Sequence, residues 1–172
     1  VQNDAPRPCL GRGGPSLVAI AALLLLFPSV LGADDARPKP GILDKPAPAW
    51  GVSKWIQTPA DKQALDVGDF KGKVVYLYCF QSWCPGCHKY GFPTLQKVSA
   101  HFSGDKDVAF VAVQTTFEGA QVNTPKRAWA TARKYELTMP IGHADSDPKG
   151  RPLLMNRYRT GGTPWVIIID RD

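Results

Sequence analysis

The apolar run Val74-Val75-Tyr76-Leu77-Tyr78 leads, through Cys79 and Phe80, into Trp83-Cys84-Pro85-Gly86-Cys87. A short run of this kind, rich in β-branched residues, is a strand buried in a sheet. A strand that ends at a Cys-x-x-Cys, which then opens a helix, puts Cys84 at a helix N-terminus. There, unpaired N–H groups and the macrodipole favour a thiolate. Cys87 follows one helical turn later, close enough to close a disulfide with Cys84. Such a pair can carry two electrons by thiol–disulfide exchange.

The rest of the chain continues the alternation. Val108 to Val113 reads as a second buried strand, and Phe92, Leu95, Val98 and Phe102 between the two strands have helical spacing. This is a βαβ unit. A second helix starts with Thr124 as N-cap and Pro125 at the first helical position, its apolar stripe drawn from Trp129, Ala132 and Tyr135 or Glu136. Thr138 to His143 reads as an edge strand, Asp147 to Tyr158 as a loop with a short helix, and Val166 to Asp170 as a further strand. Ahead of the unit, Trp50 to Lys73 reads as an irregular lead-in holding one short strand.

The N-terminal 33 residues have a different character. Arg7 and Arg12 precede an apolar stretch from Leu17 to Phe27, and Pro28 and the small residues Gly32 and Ala33 follow it. This is the layout of a secretory signal with cleavage near Ala33. Its apolar run is shorter than the roughly 20 residues of a spanning helix. The expectation is therefore an exported protein, in a bacterial periplasm or secreted, which an uncleaved signal would tether to a membrane. Cys9 would be lost with the signal. Export means an oxidising compartment, in which a thiol pair works as a redox device. Residues 34–49, dense in proline and charge, read as a linker, and 50–172 as the folded domain. Residue 1 is Val, and Ile167-Ile168-Ile169-Asp170 ends the chain on what reads as a strand entering a turn, so the expectation is a C-terminally shortened domain.

The net charge of +6 does not point to nucleic acid, because the basic residues are scattered among acids and form no run longer than Lys126-Arg127. A solvated basic surface accounts for it.

Trp83-Cys84-Pro85-Gly86-Cys87 after a buried strand, with Gly162-Thr163-Pro164 before a later one, resembles the thioredoxin fold. The export signal, the lead-in and the Gly-Thr-Pro-Trp-Val run resemble in particular the TlpA-like thiol–disulfide oxidoreductases. The resemblance covers residues 50–172. It implies an α/β fold with a central mixed sheet flanked by helices, from which the C-terminal hairpin strand and closing helix are missing here. It also implies that Cys84 attacks, Cys87 resolves, Pro85 and Gly86 are the intervening dipeptide, and Pro164 is a cis proline facing the sulfurs. Thr163 would offer backbone to a substrate and Trp83 an apolar shoulder. The partners implied are protein thiols and disulfides together with an upstream redox partner, with no cofactor and no metal. The family usually carries a proline five residues past the second cysteine, whereas Pro93 is six past it, which predicts a bulge or local break.

Cys84-Pro85-Gly86-Cys87-His88 also matches the attachment pattern of c-type haem, with His88 as axial ligand and Met139 or Met155 as a sixth. A third reading has Cys84, Cys87 and His88 hold a soft metal ion such as copper. The buried strand before the motif and the Thr-Pro strand after it favour exchange over both. On that reading His88 is a helix-surface side chain, His101 and His143 are surface residues, and Cys79 is a buried structural thiol.

Overall fold

In a computed structural model of the chain, residues 40–171 are described. The expected signal at 1–33, with Cys9, lies outside them, as do residues 34–39 of the expected linker. The described strands are β1 (Lys54–Gln57), β2 (Val74–Phe80), β3 (Val108–Gln114), β4 (Ile141–His143) and β5 (Trp165–Ile169). The α-helices are α1 (Phe92–His101), α2 (Pro125–Lys134) and α3 (Leu153–Tyr158). The strands form one mixed sheet in the order β1-β4-β3-β2-β5.

β2 and β3 run parallel, from Val74 opposite Val108 to Phe80 opposite Gln114, because α1 provides the long crossover that parallel strands need. β4 lies parallel to β3, while β1 and β5 close the two sides antiparallel to β4 and β2. The expected edge strand is thus an inner one. The short strand of the lead-in takes the edge beside it, Lys54 opposite His143.

Alternation along β2 and β3 divides the core. Tyr78, Phe80 and Ala112 face α1 and α2 and pack with Phe92, Leu95, Ala128 and Ala132. Val75, Leu77, Cys79, Val111 and Val113 face the other way, onto Trp50, Leu154 and Tyr158. The stretch read as a linker joins this second layer. Ile42 and Ala47 pack against it, the Tyr158 hydroxyl donates to the Pro48 carbonyl (2.6 Å), and the Arg157 guanidinium donates to the Ala49 carbonyl (2.7 Å). Prolines remove donors but keep acceptors, so a proline-rich segment can still be held by side chains that donate to it.

The helices follow their signals with two corrections. Thr124 caps α2 by accepting from the Arg127 N–H, with Pro125 as the first helical residue. The buried face of α2 is Ala128, Thr131 and Ala132, however, and Trp129 is 48% exposed with the Arg133 guanidinium 4.9 Å from its ring. Phe102 lies just past the end of α1 and is exposed against His101.

Candidate functional site: a thiol pair at a helix start

β2 ends at Phe80, and the chain turns through Gln81 to Cys84 before becoming helical at Pro85. The Cys84 N–H donates to the Gln81 carbonyl (3.1 Å), closing that turn. Residues Cys87–Gly91 then form a π-helical turn that leads into α1, so the predicted irregularity is present and lies ahead of Pro93. A π-turn accommodates one extra residue without breaking the helix.

The turn brings the two thiols together. The Cys87 N–H points at Cys84 Sγ from 3.4 Å, and the Cys84 thiol donates to the Thr163 carbonyl (3.5 Å). The Thr163–Pro164 bond is cis. The Pro164 ring lies over the motif: a methyl group on Gly86 would sit 3.2 Å from its Cδ and 3.8 Å from Cys84 Sγ. Cys84, Gly86, Cys87, Thr163 and Pro164 therefore meet in one place. Pro85 is exposed. Trp83 is 42% exposed, with its indole Nε1 against Gly119 in the loop after β3, so it flanks the site and is not a core aromatic.

The two sulfurs differ in acidity. Burial pushes the Cys84 thiol up, but hydrogen bonds from the Cys87 backbone and thiol, from Thr163 and from the Gly86 N–H outweigh it and leave Cys84 below its ordinary value. Burial dominates at Cys87, whose thiol is pushed up to about 11 despite a backbone hydrogen bond at Gln81. Cys79 points to the opposite core layer, where burial raises it strongly and holds it as a thiol.

Sequence reading missed the buried carboxamides that hold this turn. Gln81 accepts from the Thr163 hydroxyl (3.1 Å) and donates to the Glu118 carbonyl (2.9 Å), tying the cis-proline loop to the loop after β3. Gln114 Oε1 accepts from the Ser82 N–H (3.3 Å) and from the Ser82 hydroxyl. Its Nε2 donates to the carbonyls of Asn123 (2.9 Å) and Thr124 (3.1 Å) and to His143 Nδ1 (2.9 Å). Asn123 Oδ1 accepts from the Ser82 N–H at 2.8 Å. The available signal was a glutamine at the end of each buried strand, a polar group that must find partners where it is buried.

His88 is not a surface side chain. Its Nε2 lies 2.8 Å from the Ser82 carbonyl, which can only accept, so Nε2 donates to it, and Nδ1 lies 2.8 Å from the Tyr135 hydroxyl. Both nitrogens are engaged within the protein, and neither is presented to a haem iron or a metal ion. Met139, offered as a sixth ligand, is buried in the core layer under α1 and α2. His143 is likewise drawn inside by Gln114, and burial, with Lys54 nearby, lowers its pKa.

Comparison with known proteins places the chain in a family. The Redoxin family model matches residues 44–172. The chain is 33% identical to a thioredoxin-like superfamily protein of known crystal structure, over 73% of this chain and 79% of that one, with a TM-score of 0.67. It is 29% identical to a thiol–disulfide isomerase from Corynebacterium glutamicum, over 74% of this chain and 80% of that one, with a TM-score of 0.64. It is also 26% identical over 158 residues to the thiol–disulfide oxidoreductase ResA of Oceanobacillus iheyensis, which spans 92% of this chain and 73% of that protein. The family model spans most of the chain, and the chain belongs to the Redoxin family as a thioredoxin-fold thiol–disulfide oxidoreductase.

Proposed function

We propose that this oxidoreductase exchanges disulfides with partner proteins through Cys84 and Cys87, after export to a bacterial periplasm or by secretion. The observation that carries the reading is the asymmetry of the pair: Cys84 is the more acidic thiol, at a helix start, while Cys87 is buried behind it with a raised pKa. The Cys84 thiolate attacks one sulfur of a partner's disulfide, and the partner's other sulfur leaves and takes a proton. Cys87 then gives up its proton and attacks Cys84 Sγ, which closes the Cys84–Cys87 disulfide and releases the partner as a dithiol. Two electrons pass from the pair to the partner, and an upstream redox protein returns them. The same steps in reverse oxidise a partner.

In this scheme the Thr163 backbone and Pro164 receive the partner strand, Trp83 and Pro85 border it, and Gly86 leaves room for the proline ring. Export rests on the N-terminal signal pattern and on the ordinary association of thiol pairs with oxidising compartments. Among the described residues no helix is long and apolar enough to cross a membrane.

Trapping tests the exchange. The Cys87→Ser chain should accumulate covalent adducts with partner proteins on non-reducing gels that dithiothreitol removes, and Cys84→Ser should form none. Adducts that ignore both substitutions would end the proposal. In the same cells, an N-terminus near Asp34 on the soluble exported protein is the expected result, and an intact signal in washed membranes would make it a tethered enzyme.

A further inference from the structure

Cys87 raises a question that the exchange scheme leaves open. It must become a nucleophile, yet it is fully buried and holds its proton up to about pH 11. A buried thiolate forms at useful rates only where a donor is placed to receive the charge.

One donor is in position. Tyr78, on β2, is 1% exposed, and its hydroxyl has no partner of hydrogen-bonding geometry among the described residues. Buried hydroxyls are nearly always satisfied, so an orphan one calls for an explanation. This one is wedged into the π-turn after Cys87. At Gly91 a methyl group would overlap the Tyr78 hydroxyl outright and lie 3.0 Å from Pro164 Cβ, so glycine at that position is what lets the phenol in. Tyr78, Cys84 and Cys87 belong to the same core layer. The Cys87 sulfur and the hydroxyl act on each other: the phenol lowers the pKa of Cys87, and Cys87, after burial, is the chief group raising that of Tyr78. Tyr78 therefore keeps its proton and acts as a donor, not as a base. The other titratable groups acting on these two are Cys84 on the turn and Tyr76 and Cys79 on β2, and none of them is a carboxylate or an amine.

We propose that the Tyr78 hydroxyl donates a hydrogen bond to the Cys87 sulfur as that sulfur becomes a thiolate, and so sets the rate at which Cys87 resolves the mixed disulfide. The inference rests on the exchange reading above. No bond to Tyr78 forms or breaks. Cys87 passes its proton to solvent or to the departing partner thiolate, its sulfur bonds to Cys84 Sγ, and the Cys84–partner bond breaks with the electron pair leaving on the partner.

Reaction of the reduced chain with dithiobis(nitrobenzoate) separates the two steps in a stopped-flow record. The first thiolate is released when Cys84 attacks and the second when Cys87 closes the ring. Tyr78→Phe should leave the first phase unchanged and slow the second about tenfold, the effect of losing one hydrogen bond to a charged sulfur. Its second-phase pH profile should also shift to higher pH. Phenylalanine removes only an unpartnered hydroxyl, so the fold should hold. A second phase unchanged in rate and pH profile, or both phases slowed equally, would overturn the inference. Absence of the first phase in the unsubstituted chain would instead overturn the exchange reading. A second measurement avoids Phe altogether: in the Cys84→Ser chain, a ring-fluorinated tyrosine at position 78, a stronger donor, should lower the pKa of Cys87, and no movement would count against the proposal.

Discussion

Cys79 and Cys87 are equally buried, close in sequence, and on opposite core layers, yet only one of them has anything to react with. Cys79 points among Leu77, Val111, Val113 and Leu154, where burial is the whole of its chemistry. Cys87 begins a helical turn and has a second sulfur, a backbone hydrogen bond and a phenol beside it. The comparison separates depth from reactivity. A thiol becomes useful through polar backbone and a second sulfur, and the sheet provides these on one face only, where its strands end.

The largest expected effect follows directly. In the reduced chain iodoacetamide should modify Cys84 at least about a hundredfold faster than Cys79 at neutral pH, since only the thiolate reacts. The pKa of Cys84 is lowered, so its labelling rate should rise with pH and level off below the ordinary thiol value of about 8.5, as peptide mapping across pH would report. Labelling of Cys79 at a comparable rate would break the contrast between the layers.

Legibility in the sequence followed the same divide. The thiol pair, the Gly-Thr-Pro turn, the Thr124 cap and the irregularity ahead of Pro93 are readable because each is a local pattern, complete within a few residues, and the βαβ unit because each of its elements carries its own periodicity. The carboxamide set was not, because Gln81 meets Thr163 across 82 residues and Gln114 meets Ser82 across 32. Spacing also could not say that Ala128 faces inward where Trp129 faces out, since adjacent helical positions differ by only about 100° and a large aromatic looks like the better core residue. β4 reads as an edge in the sequence because its outer neighbour comes from the irregular lead-in, which carries no strong alternation.

The middle effect concerns the polar rim of the reactive layer. Gln114→Leu would leave the Ser82 hydroxyl, two carbonyls and His143 without their partner, and should cost about 1–3 kcal/mol by denaturant unfolding. It should also slow exchange by loosening the turn that carries Cys84. A cost no larger than that of an ordinary surface change would mean that the set is decoration around a self-sufficient turn. The smallest effect marks the outer boundary of the comparison. Trp129→Ala, on the solvent side of α2, should change stability by no more than about 0.5 kcal/mol in the same measurement.

The π-turn at Cys87–Gly91 works as a phase shifter. Each residue of an α-helix advances the direction of its side chains by about 100°, so one residue more or less upstream redirects everything downstream. With the additional residue absorbed in the turn, Phe92 and Leu95 come round onto the sheet while the cysteines keep the orientation that the strand end gives them. The redox turn and the packing helix are thus geared separately. Substitutions that retune the sulfurs need not disturb the core, and repacking of α1 need not turn Cys84 away from the surface it serves.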